Sequence, residues 1–157
     1  MAISQLTATE SRRRLPEASP SDPVTEAVLR AGVALGLVGI ALIHFLDLFS
    51  KLDETPYLAV AYLGLIAASL VVGARVVRFG TSRLLVLAAG LAAATASAYV
   101  LSRTAGLPHA TDDVGNWREP LGLASLFLEG LVVALSVYTL ALTRPARRRV
   151  RLIEGRA

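Results

Sequence analysis

The sequence predicts an all-α fold: an up-and-down bundle of four transmembrane helices with both termini on the cytoplasmic side. Three observations predict it. The chain has 157 residues, enough for one domain, and only 18% of them are charged, whereas a soluble domain carries about 25%. Four stretches are long and apolar enough to cross a hydrocarbon core about 30 Å thick, which takes about 20 residues of helix. The Lys and Arg residues between those stretches alternate between crowded and sparse, as they do when successive links face opposite sides of a membrane.

In chain order, residues 1–23 are polar and contain Pro16, Pro20 and Pro23. No apolar stretch follows a short basic start there, so the segment is not a secretory signal and reads as a disordered cytoplasmic tail. A membrane domain follows over residues 24–144. Its first span covers about 30–50 and is interrupted only by His44 and Asp47. The second, about 56–76, opens at Pro56, where a first helical turn tolerates proline because the missing N–H would be unpaired anyway. Gly80 marks the short link to the third span, about 83–102, which is rich in alanine and carries no charge between Arg83 and Arg103. The fourth, about 120–143, opens at Pro120 and has Glu129 as its sole charge; Pro145 lies just past it, and residues 145–157 read as a basic cytoplasmic tail. Runs of this length are too long for buried strands, and none has the polar face that a water-soluble bundle requires.

Orientation follows from the basic residues near the span ends. Arg12, Arg13, Arg14 and Arg30 precede the first span, and Arg75, Arg78 and Arg83 surround the link between the second and third. The end of the chain holds Arg144, Arg147, Arg148, Arg149, Arg151 and Arg156. These make thirteen on one side, against Lys51, Arg103 and Arg118 on the other. The net charge of +4 is thus a topology signal and does not point to nucleic acid; the lipid bilayer itself is the expected partner, with the arginines as anchors beside anionic headgroups.

Ionisable side chains inside a span are costly, about 2.5–3.5 kcal/mol on insertion scales, and usually face the bundle interior beside a partner. His44 and Asp47 share one face of the first helix, and Gly32, Gly36 and Ile40 continue it in steps of four, so the polar face coincides with one that permits close packing. Glu129 shares a stripe with Gly122, Ser125 and Ser136. Thr95, Tyr99 and Ser102 form another on the third helix, and Tyr62 and Ser69 lie two turns apart on the second. At about 1.5 Å per residue, His44 and Tyr62 lie roughly 9 Å below the outer ends of their helices and Glu129 roughly 13 Å. The expectation is a buried cluster of His44, Tyr62 and Glu129, with Asp47 above it.

The outer loop 103–119, RTAGLPHATDDVGNWRE, is longer than most helix connections. His109, Asp112, Asp113 and Glu119 are candidate ligands for a divalent cation, although DDVGN lacks the alternating acidic spacing of an EF-hand loop. The plainer reading is turn chemistry at Gly-Leu-Pro and Gly-Asn, an interfacial Trp117, and Arg103 and Arg118 pairing with Asp112 and Asp113 to fold the loop over the bundle.

Much chemistry is absent. With no cysteine, disulfides and thiolate metal sites are excluded. Neither phosphate-binding glycine motif, nor HExxH, nor GxSxG occurs. Haem held by two histidines within the membrane is not expected, because only His44 lies in a span.

The stretch SRTAGLPHATDDVGNWREPLGLASLFLEG, with IHFLDL in the first span, resembles an uncharacterised group of small four-helix integral membrane proteins of GC-rich Gram-positive bacteria. That resemblance implies a multi-pass protein of the bacterial plasma membrane and gives weight to the loop; it supplies no catalytic residues. The leading expectation is a non-enzymatic accessory or partner-binding subunit. Gly64 and Ala68, extended by Ala61, form a small-residue ridge suited to a membrane partner or a homo-oligomer. The alternatives are a small proton- or ion-coupled transporter using His44 and Glu129, and a divalent-metal-binding protein of the outer face.

Overall fold

The computed structural model describes residues 22–154, with side chains through residue 143. The chain forms four helices, α1 (Pro23–Glu54), α2 (Pro56–Phe79), α3 (Ser82–Thr104) and α4 (Pro120–Glu154). All four are long and apolar enough to cross a membrane. The expected N-terminal tail falls outside the described residues except for its end, where Asp22 caps α1 by accepting from the Val24 amide at 3.2 Å and Pro23 occupies the first turn. The anchor side chains Arg144, Arg147, Arg148 and Arg149 also lie outside the described side chains.

Two helices outrun their apolar spans. α1 continues past Lys51 to Glu54, helped by a 2.9 Å Lys51–Glu54 ion pair one turn apart. α4 continues through Pro145 to Glu154, where the sequence suggested an end. Proline there removes one helical hydrogen bond without stopping the helix.

The links are short, so neighbours in the chain run antiparallel. Thr55 alone joins α1 to α2; its amide donates to Lys51 O at 3.0 Å, and its carbonyl accepts from the Leu58 amide at 2.9 Å. Gly80 ends α2 in the left-handed region at φ 52°, its amide bonded to Val76 O at 2.9 Å. A side chain at Gly80 would also strike the Arg30 guanidinium, which pairs with Glu26. Thr81 then caps α3.

α1 is the hub. It packs broadly on α2 and α4, and α4 packs on α3, whereas α2 and α3 close the ring only loosely. Small residues make the close seams: Gly36 of α1 receives Val132 of α4, Gly39 receives Leu128, and Gly73 of α2 lies on Ala34 and Leu37. The core runs through Val33, Leu37, Ile40, Leu85, Ala88 and Val132. The outward face is apolar as well: Leu35, Val60 and Phe127 are 70%, 69% and 71% exposed. Such a surface is a liability in water and ordinary against lipid. Gly64 points outward, with open space where a side chain would project.

Candidate functional site: a polar cavity at the loop end

Ser69, Ser136 and Thr139 are the buried polar groups deeper in the bundle, whereas the charged and ionisable side chains of the interior gather toward the loop. Gly122 and the Ala94–Ala98 stretch of α3 keep side-chain volume small there, and the loosely joined α2 and α3 do not fill the space. The result is a cavity of about 670 Å³ lined by all four helices and the loop.

His44, 8% exposed, directs Nδ1 to the carbonyl of Ile40 one turn earlier, at 2.9 Å. A carbonyl can only accept, so Nδ1 carries hydrogen and, in the neutral ring, Nε2 remains an acceptor. The imidazole meets the Tyr62 ring edge-on, centroids 4.7 Å apart, and the Tyr62 hydroxyl donates to Asp47 Oδ2 at 3.1 Å. These three residues thus form one contact group across α1 and α2.

Glu129 stands apart from them. It is 1% exposed and accepts from the Ser125 hydroxyl one turn earlier at 2.7 Å, through Oε1. Its Oε2 is buried without a hydrogen-bond partner among the described residues, as is the Tyr99 hydroxyl. Glu129 lines the same cavity as His44, Asp47 and Tyr62, but no hydrogen bond joins it to any of them among the described residues. His44 and Glu129 thus face one cavity, and each makes a local, i to i+4 hydrogen bond on its own helix. Burying an unpaired carboxylate oxygen is expensive, and a cost of that kind in a membrane bundle marks a functional position by default.

The mouth of the cavity is built on Arg103, 6% exposed. Its guanidinium reaches Asp113 Oδ1 at 2.5 Å and Glu119 Oε2 at 2.6 Å, and lies 4.9 Å from the Tyr99 ring centroid. The Gly115 amide donates to Arg103 O at 2.9 Å. A planar fork with two carboxylates and an aromatic face is the arrangement for which arginine is better suited than lysine. On the opposite side, Tyr57 of α2 donates to Pro108 O at 2.6 Å. Between them the chain turns at Leu107–Ala110, closed by an Ala110 N to Leu107 O bond of 2.9 Å, with His109 at φ 59°. Proline followed by a residue of positive φ is the pattern of a type II turn. Trp117 meets Tyr99 edge-on at 6.2 Å.

The candidate metal ligands do not converge. His109 is exposed at the tip of its turn, and Asp113 and Glu119 are both spent on Arg103. Among the described residues no group of three such side chains is placed to hold a metal ion. The loop pairing also differs from expectation: Arg103 takes Asp113 and Glu119 together, whereas no ion pair to Arg118 or Asp112 occurs among the described residues. The Arg103–Asp113 pair is one the sequence suggested, whereas the second carboxylate, Glu119, and the burial of the guanidinium were not. The available signal was its place four residues after Tyr99, on the polar stripe of α3. Arg75, Arg78 and Arg83 lie exposed at the opposite end, around the Gly80 link. The chain matches no family model, no curated protein and no solved structure.

Proposed function

We propose that the chain is a solute-binding multi-pass protein of a bacterial plasma membrane, with both termini in the cytoplasm and its loop-end cavity open to the outside. One observation carries the reading: a polar cavity extends from the loop to a buried carboxylate that has an unpaired oxygen. A purely structural Glu–Ser pair needs no such space beside it. Support for the orientation comes from the thirteen basic residues grouped with the termini and the α2–α3 link. Among the alternatives, the cavity favours passage or capture of a small solute over a metal site, whose ligands lie apart.

The absence of cysteine makes the test clean. Serines at three positions are replaced one at a time: Ser102→Cys and Ser125→Cys in the cavity wall, and Ser136→Cys, fully buried and away from it. Intact cells are exposed to a small, membrane-impermeant thiol reagent. Labelling of the first two from outside with protection of the third is expected. Protection of all three would show that the cavity is not reached from that side, and the reading would fail.

A further inference from the structure

The charges around the cavity are unbalanced once internal pairing is counted. Glu54 is held by Lys51, and Asp113 and Glu119 by Arg103. Asp47 and Asp112 also line the wall and have no cationic partner among the described residues. An anion entering this space meets net repulsion, and the buried Arg103 is already engaged on both ends of its fork. A cation meets the reverse.

Size narrows the class further. About 670 Å³ falls in the range of small-molecule sites, roughly 300–1,000 Å³. A proton needs no cavity of that size, and a bare metal ion lacks three converging ligands among the described residues. A neutral apolar molecule would leave Glu129 Oε2 and the Tyr99 hydroxyl as they are, buried and unpaired. Part of the wall is apolar and thin. Ala61 of α2 and Ala94 and Ala98 of α3 line the cavity while remaining exposed, on the two ring neighbours that pack least against each other. Small side chains on loosely packed helices make a seam between the cavity and the surrounding lipid.

We propose that the cavity binds a protonated organic amine with an apolar body, its ammonium group on the Glu129 carboxylate and its apolar part along Ala61, Ala94 and Ala98 in the α2–α3 seam. The proposal rests on the reading of the cavity as a solute site and names the class of solute. An ammonium nitrogen supplies the donors that the unpaired oxygen lacks, and the seam accepts a hydrocarbon chain without requiring it to be enclosed. A free amine and an amine-bearing lipid headgroup share this chemistry.

The test uses the full chain in non-ionic detergent, with hexylammonium as the probe and hexanoate and hexanol as controls of equal apolar length. Binding is read by calorimetry and by the fluorescence of Trp117, the only tryptophan, which contacts cavity-lining Tyr99. Saturable binding of one hexylammonium per chain is expected, with neither control competing. Glu129→Gln is expected to weaken it at least about tenfold, because truncating one partner of a buried charge pair is costly. Ala98→Leu, at an exposed position where folding is not at stake, is expected to weaken it as well by filling the seam. Competition by micellar phosphatidylethanolamine and not by phosphatidylglycerol would support the proposal with a lipid as the source; indifference to both lipids alongside hexylammonium binding would support it with a free amine. Absence of hexylammonium binding, equal binding of either control, or unchanged binding in both variants overturns it. If Ser102→Cys or Ser125→Cys is labelled from outside and no amine binds, the ligand class alone falls; if neither is labelled, the solute-site reading falls with it.

Discussion

Arg103 shows how one side chain can organise a loop, here residues 105–119 between α3 and α4. Its two nitrogens hold carboxylates from separate parts of the segment, and its face covers Tyr99. Replacing it with methionine keeps most of the volume and leaves Asp113 and Glu119 facing each other without a counter-charge. Breaking a fully buried pair costs about 3–5 kcal/mol. Here the carboxylate side chains are 30% and 32% exposed, so a loss of about 2 kcal/mol is expected after solvent screening is allowed for. Thermal unfolding of Arg103→Met in detergent reads it directly; an unchanged midpoint would mean that the clamp contributes nothing. At this scale the sequence was informative about which residues matter and uninformative about their partners. His44, Asp47 and Glu129 stand out because charge is costly in an apolar span. Helix rise places His44 and Glu129 at similar depths, but depth does not fix the direction in which a side chain leaves its helix, and each found its nearest partner one turn away on its own helix instead.

The helices follow from local rules that the sequence displays openly. Asp22–Pro23 and Thr55–Pro56 start α1 and α2, Gly80 ends α2, and Thr81 starts α3. The ends of α1 and α4 were harder to read, because charge marks where an apolar span stops and not where a helix stops. Glycine carries two meanings that only packing separates. At Gly36 an added methyl would run into Val132, whereas at Gly64 it would meet open space. Gly36→Ala is therefore expected to cost about 1–3 kcal/mol by overpacking the α1–α4 seam, and Gly64→Ala to leave the midpoint unchanged or raise it. Equal effects at the two sites in the same thermal assay would contradict the seam as described.

For the whole molecule, composition and length were sufficient to establish four membrane-long helices, while the pattern of packing was not legible, since every helix offers small residues and a polar stripe. The structure resolves it into two hairpins, α1–α2 and α3–α4, joined mainly where α1 meets α4. A membrane bundle of this kind can assemble from preformed helical pieces. Residues 1–80 and 81–157 expressed as separate chains are accordingly expected to co-purify as a one-to-one complex, and Gly36→Leu in the first piece to abolish it. Recovery of the pieces apart would show that the covalent link at 80–81 supplies what the α1–α4 seam is credited with. The loop between α3 and α4 has a different part in this arrangement. It is fastened to α2 through Tyr57 and to α3 through Arg103, so it bridges the two helices that scarcely hold each other. A strap across a slit limits how far its lips can part without altering what lies beneath.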